Sequence, residues 1–476
     1  MKEKGIRSFL AEHGASEPIS FHMPGHKGPD IYRRYGFDDF LDAFMKWDIT
    51  EIPGADNLFQ AEGIIEETAE KYRELYAVIK SFLLINGTSG GIIASILASV
   101  PPGKKLVMAR NCHKSVFNAL SLGNISPVYV YPSIIDKYGI SGAVSPEAVA
   151  EALDSEPDAE AVILPSPNYY GICSDIRAVA EEVHRRGKVL IADQAHGAHL
   201  RFFSRFEDGF LPPSAEESGA DIVINSTHKT LASFTQSAVL NVCSDRVDLY
   251  AIEDRLQAVE STSPSYLLMA SLDINADIIE KHGKELFEAW RENLEFFYKG
   301  AKDIPFLSIM DVPGKMDITK INMDMSQIGI KGAQLEEILM DEGIFSELYT
   351  GNILMCMTGI GNRRADLERL LNALKKAEGK KPAAAEGGCA GDIEDSGVWT
   401  KKRPVKKISG RKALTDIDMC AGLVCASPLI PYPPGIPLVC VGEEISREDI
   451  AYVKKLRACG GKVIGIDEKN RISVMK

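Results

Sequence analysis

Short apolar runs recur from about Ser81 onward: Ser81–Ile85, Leu106–Met108, Val128–Tyr131, Ala161–Leu164, Val189–Ala192, Asp221–Asn225 and Ala238–Val242. They are continuous rather than alternating, the pattern of strands buried on both faces of a sheet. Amphipathic stretches such as Glu147–Leu153 and Ile176–Arg186 lie between several of them and predict the covering helices. Strand and helix in alternation predict a large α/β layer around a seven-stranded, mostly parallel sheet.

The flanking sequence reads differently. Before the first run come an unusual loop, FHMPGHKG at Phe21–Gly28, and an amphipathic helix over Glu62–Tyr76. Beyond Ser261 the pattern turns more helical, most clearly over Ile278–Phe297. Lys375–Gly397 is rich in Ala, Gly and charge but poor in large apolar residues, which is linker composition. The expected organisation is an N-terminal arm at 1–35, a large domain at 36–260 and a smaller helical or α+β region at 261–375. A linker at 376–405 and a C-terminal domain at 406–476 complete it. In that last domain five prolines within Pro428–Leu438 predict a loop without regular structure. No internal repeat is visible.

Composition narrows the classes. The 476 residues are 45% hydrophobic and 25% charged, which excludes collagenous, mostly disordered and membrane-embedded chains. A formal charge of −13 argues against a nucleic-acid binder and slightly favours cationic small molecules as partners. Nine cysteines lie scattered, and Cys420 with Cys425 has no nearby Cys or His, so no metal site is expected. The start, MKEKGIRSFLAEHG, lacks the apolar core of an export signal. The longest apolar stretch, Gly90 to Val100, carries Ser95 and Ser99 and is far below the roughly 20 residues of a membrane span. The cytoplasm is the expected location.

Three strand ends carry chemistry. Ser226-Thr227-His228-Lys229 follows the strand DIVIN, and Asp193 ends the strand VLIAD before Gln194-Ala195-His196. In an open α/β sheet ligands gather at the carboxyl ends of the strands, so Lys229 and Asp193 can share one crevice. The strand SFLLI runs into Asn86-Gly87-Thr88-Ser89-Gly90-Gly91 and then an apolar helix. That turn either cradles a phosphate on free backbone N–H groups or is simply a helix start capped by Thr88 or Ser89. It fits neither usual nucleotide fingerprint. A phosphate cup, a lysine and a carboxylate are together what pyridoxal phosphate requires, for the anion, the Schiff base and the ring nitrogen.

Eight motifs in one order make the chain resemble the bacterial ornithine/lysine/arginine decarboxylases, pyridoxal-phosphate enzymes of the aminotransferase-like fold (fold type I). They are FHMPGHKG at Phe21, DITEIPGADNL at Asp48, INGTSGG at Ile85, RNCHKS at Arg110, ADQAHGAH at Ala192, STHKTLASFTQSA at Ser226, SPSYLLMASLD at Ser263 and YPPGIPL at Tyr432. The resemblance implies Lys229 as the Schiff-base lysine, Asp193 as partner of the ring nitrogen, and His113 and Ala195 on the two ring faces. It implies Thr88, Ser89, Ser226 and His228 as phosphate contacts and His196 nearby; His22 and His26 take no assigned role. Substrate contacts map onto Ser261, Thr262 and Glu443. Where the family has Pro-Gly-Glu this chain has Val441-Gly442-Glu443-Glu444, so either Glu443 or Glu444 can serve. Gln194 replaces a frequent glutamate.

The implied activity is decarboxylation of arginine, lysine or ornithine, with arginine favoured, to an amine of polyamine metabolism. Lys229 or His228 would return the proton to Cα. Another reaction of the same fold, transamination or a lyase step, and a non-catalytic binding or regulatory homologue are the competing readings. The resemblance implies a homodimer or higher homo-oligomer. It also implies that the N-terminal regulatory domain of larger relatives is absent here.

Overall fold

Seven strands form where the apolar runs predict them: β1 (Lys80–Leu84), β2 (Lys105–Ala109), β3 (Ser126–Val130), β4 (Ala159–Pro165), β5 (Val189–Asp193), β6 (Ile222–Asn225) and β7 (Ala238–Val242). In this computed structural model the described residues are 5–207, 209–379, 403, 406, 411–432, 437–458 and 461–476. The strands join in the order β1-β7-β6-β5-β4-β2-β3, and β7 alone runs antiparallel to its neighbours. Successive side chains alternate between the sheet faces, so Leu83 and Val239 enter one core while Leu84 and Leu240 enter the other. Both faces are dry, which is why these strands read as unbroken apolar runs.

Helices α1 (Ile64–Tyr76), α2 (Gly87–Ser99), α3 (Lys114–Gly123), α4 (Pro146–Ser155), α5 (Ile176–Arg185) and α6 (Leu249–Val259) flank the sheet. Caps mark their starts: Ser145 Oγ accepts from the Ala148 amide, and Asp175 and Asp248 cap α5 and α6. Helix α7 (Tyr266–Ala301) is longer than its sequence pattern predicts and links two cores. Its Leu272 and Ile279 pack under the large sheet, whereas Phe297 and Ala301 enter the smaller lobe.

That smaller lobe holds an antiparallel sheet of β8 (Ser308–Ile309), β9 (Lys320–Asp324), β10 (Leu348–Thr350) and β11 (Ile353–Met357), in the order β8-β9-β11-β10, covered by α8 (Arg364–Ala377). The N-terminal segment is stitched into it. Ile19–Ser20 pairs in parallel with Ile344–Phe345, and Phe21 is fully buried in the lobe's core.

The C-terminal unit contains β12 (Lys412–Asp416), β13 (Ile430–Tyr432), β14 (Lys462–Ile464) and β15 (Arg471–Met475), paired as β12-β15 and β13-β14. β13 corrects the expected irregular loop: Pro431 pairs with Val463 in a two-stranded ribbon, where every strand is an edge and proline is tolerated. Residues 433–436 of that loop, and the expected linker beyond Gly379 except Arg403, lie outside the described residues. Among the described residues the cysteines are free, no cluster can hold a metal ion, and no helix is long and apolar enough to cross a membrane.

Candidate active site

A cavity of about 530 Å³ opens at the carboxyl ends of β5 and β6, where a doubly covered sheet leaves its strand ends uncovered. Nine residues singled out in the sequence line it: Thr88, Ser89, His113, Asp193, Ala195, His196, Ser226, His228 and Lys229. Lys229 rides on the single helical turn Thr227–Thr230 that follows β6, and its Nζ lies 2.9 Å from His196 Nε2. Burial pushes this amine down to about 8, against the pull of the Asp193 and Glu347 carboxylates. A sizeable neutral fraction at neutral pH makes it a nucleophile, which an ordinary lysine is not.

Asp193 ends β5 with its carboxylate accepting from the Ala195 amide. Burial raises its pKa and the Lys229 cation pulls it back. The imidazole of His196 is held neutral, first by burial and then by the cations of Lys229 and Lys320, and it packs 4.5 Å from the Tyr169 ring. His113 both caps α3, accepting from the Ser115 amide, and lines the cavity. Burial against the cavity wall, then Lys229 and Lys114, lower its pKa, although part of the side chain stays exposed in the open cavity. His228 Nδ1 lies 2.7 Å from the Ser237 carbonyl, which orients its ring.

On the opposite wall Thr88 Oγ1 meets Ser226 Oγ at 3.1 Å, at the first turn of α2. Gly87 holds φ at +67°, the left-handed conformation that turns the chain sharply into this helix. The FHMPGHKG loop closes against the same region. Gly25 donates its amide to the His228 carbonyl at 2.7 Å, and a Cβ there would strike the backbone of Thr230 and Leu231.

These residues fit pyridoxal phosphate. Two buried polar atoms on the cavity wall, His196 Nδ1 and Asn111 Oδ1, lack a hydrogen-bond partner, as a site shaped around a polar group requires. The α2 turn with its hydroxyls suits a phosphate, Asp193 a protonated ring nitrogen, and Lys229 a covalent link.

The predicted substrate contacts are not brought to this cavity. Glu443 is fully buried and both its oxygens bind the Arg110 guanidinium, at 3.0 and 2.9 Å. Arg110 also donates to the carbonyls of Pro437 and Leu438, so the pair clamps the C-terminal unit onto the end of β2. Glu444 binds Lys406 on the surface, and Ser261 and Thr262 sit on an exposed loop.

Sequence reasoning passed over Asn111, Tyr169, Lys320 and Glu347. Asn111 lies inside RNCHKS, and Tyr169 lies just beyond β4, where the strand-end rule could have found it. Lys320 and Glu347 come from the smaller lobe and carry no local signal. Lys320, fully buried, donates to the His196 carbonyl and to Asp317, whose carboxylate also meets His199 Nε2 at 3.1 Å. This cluster fixes the backbone that carries His196.

Residues 6–304 match the Orn/Lys/Arg decarboxylase major domain and residues 401–469 match the C-terminal domain of the same family. The chain is 32% identical over 461 residues to "Uncharacterized protein YaaO" of Bacillus subtilis (strain 168), covering 94% of this chain and 93% of that protein. It is 30% identical over 491 residues to an arginine decarboxylase of Bacillus anthracis, covering 98% and 95%. Among solved structures, the lysine decarboxylase LdcF of Francisella novicida has a TM-score of 0.75 at 18% identity, covering 95% of this chain and 78% of that one. Likeness at that identity shows the fold, and it is the expected aminotransferase-like one.

Proposed function

The chain belongs to the Orn/Lys/Arg decarboxylase family, and on that premise we propose L-arginine as its preferred substrate and polyamine formation as its metabolic setting. Membership makes it a pyridoxal-phosphate-dependent decarboxylase of a basic amino acid. The choice of arginine is supported by the Bacillus anthracis relative of that name, which aligns over nearly the full length of both chains. The observation that carries the chemical reading is Lys229, its amine held near 8 between Asp193 and His196 at the strand ends.

Bound pyridoxal phosphate supplies a conjugated ring that takes up the electron pair left when carbon dioxide departs. The protein's own residues do the rest. Lys229 is the residue that would hold the cofactor covalently, and its amine would hold or return a proton; its 2.9 Å contact with neutral His196 would give that proton a relay. Asp193 would keep a proton on the ring nitrogen. His113 and Ala195 would confine the ring, and the α2 turn with Ser226 and His228 would hold the phosphate. An aminotransferase normally clamps the substrate carboxylate with arginine; no arginine lines the cavity among the described residues, which favours loss of that carboxylate.

The same proposal places the protein in the cytoplasm as a homodimer. The exposed Ser261–Thr262 loop would then serve a second copy's cavity, and the arm, the two lobes and the C-terminal unit would act as one body. The test is carbon dioxide release from arginine, lysine and ornithine side by side, with borohydride trapping of the cofactor. Arginine should turn over fastest and the trapped label should sit on Lys229. Equal or faster release from lysine overturns the arginine assignment, and a label elsewhere overturns the role of Lys229.

A further inference from the structure

With Glu443 and Glu444 engaged elsewhere, the site lacks an assigned carboxylate for the cationic end of its substrate. Asp193 is the only carboxylate among the cavity-lining residues, and its place beside Lys229 suits the cofactor ring. One further carboxylate stands directly behind the wall. Glu347 follows the short strand Ile344–Phe345 in the smaller lobe, with its backbone amide fixed to the Met355 carbonyl at 3.0 Å. Its Oε2 accepts from the Met23 amide at 3.0 Å and its Oε1 from the Tyr169 hydroxyl at 2.7 Å. Met23 and Tyr169 both line the cavity, one from the FHMPGHKG loop and one from beyond β4.

We infer that Glu347 is the substrate-specificity residue of this site, receiving the terminal guanidinium or ammonium of a basic amino acid where Met23 and Tyr169 meet. The inference rests on the decarboxylase reading and adds to it the group that selects the substrate. Three observations support it. Both donors on Glu347 are neutral, so its negative charge is not cancelled by them. Each carboxylate oxygen has two acceptor positions and only one is used, which leaves one on each oxygen for a forked or compact cation. Glu347 is also one of two carboxylates whose field reaches Lys229, the point from which a bound substrate extends. The nearby Lys27 directs its ammonium to the carbonyls of His22 and Met357. The two donors hold the carboxylate before any ligand arrives, so little ordering is left for binding to supply.

The test compares L-arginine with L-citrulline, which shares its head group and length but ends in a neutral urea. Holoprotein and its Glu347→Gln and Glu347→Asp variants are titrated with each, following the cofactor's visible absorbance, and turnover is measured alongside. Glu347→Gln should weaken arginine binding about 10-fold or more, the weight of one charged hydrogen bond, and leave citrulline within about 2-fold. In turnover the loss should fall on KM rather than kcat, and cofactor affinity should be unchanged. Glu347→Asp should recover part of the arginine preference. Equal loss for arginine and citrulline, or an unchanged ratio, overturns the proposal. Carbon dioxide release by the unaltered protein tests the underlying decarboxylase reading; the binding ratio tests Glu347 whether or not turnover occurs.

Discussion

Glu260 is a buried carboxylate without a counter-charge among the described residues. It ends α6 beside the first turn of α2, is 9% accessible, and its carboxylate faces only the Asn86 and Ile85 amides, neither aligned for a full hydrogen bond. A Cβ on Gly90 would lie 3.2 Å from its Oε1, so the side chain is pressed against the turn at the start of α2 that lines the cavity. Burial pushes its ionisation from 4.5 up to about 7, with the Asn86 and Ile85 amides pulling only partly the other way. The charged form therefore costs about 3 kcal/mol more in the fold than in the unfolded chain. The sign follows from the raised folded-state value. Below the unfolded value both states are neutral and nothing is lost; as pH rises toward and through about 7 the unfolded state releases its proton first, and stability falls. Glu260→Gln removes the titration while keeping the shape. Urea midpoints at fixed protein concentration, followed by tryptophan fluorescence from about pH 4 to about pH 8, should nearly coincide for the two proteins at the acid end. At the alkaline end the variant should lead by up to about 3 kcal/mol. Parallel pH profiles would refute the reasoning, because they would mean that the carboxylate is satisfied by a partner and never carried the penalty.

Three further outcomes follow from other parts of the structure. Glu443→Gln should destabilise the protein by about 3–5 kcal/mol by leaving Arg110 buried without its counter-charge, and should expose the C-terminal unit to limited proteolysis. Gly25→Ala should lower cofactor affinity, read by absorbance titration, because its methyl group would push against the backbone next to Lys229. The rate at which apoprotein captures pyridoxal phosphate should rise with pH and level off above about 8, as the Lys229 amine loses its proton; a rate independent of pH would contradict a neutral-amine nucleophile.

The cluster at the strand ends was legible in the sequence because it is local. Lys229, Asp193 and the Thr88–Ser89 turn each follow directly on a strand, and strand order alone collects such ends along one edge of a sheet. Continuous apolar runs likewise announced a sheet covered on both faces, since the central strands β4–β7 are buried almost throughout. Other features depend on which lobe touches which. The partner of Glu443 lies in β2's continuation, 333 residues away, and no spacing rule reaches that far. The same holds for Glu347, brought by the smaller lobe against Met23 and Tyr169, and for Lys320 beneath His196. A glutamate near the end of the chain gives no local sign that folding places a guanidinium against it. Sequence by itself determined the chemistry at the strand ends, through short-range geometry. Tertiary structure decided which carboxylates remain available to a cation, because that depends on charge pairs formed between distant segments.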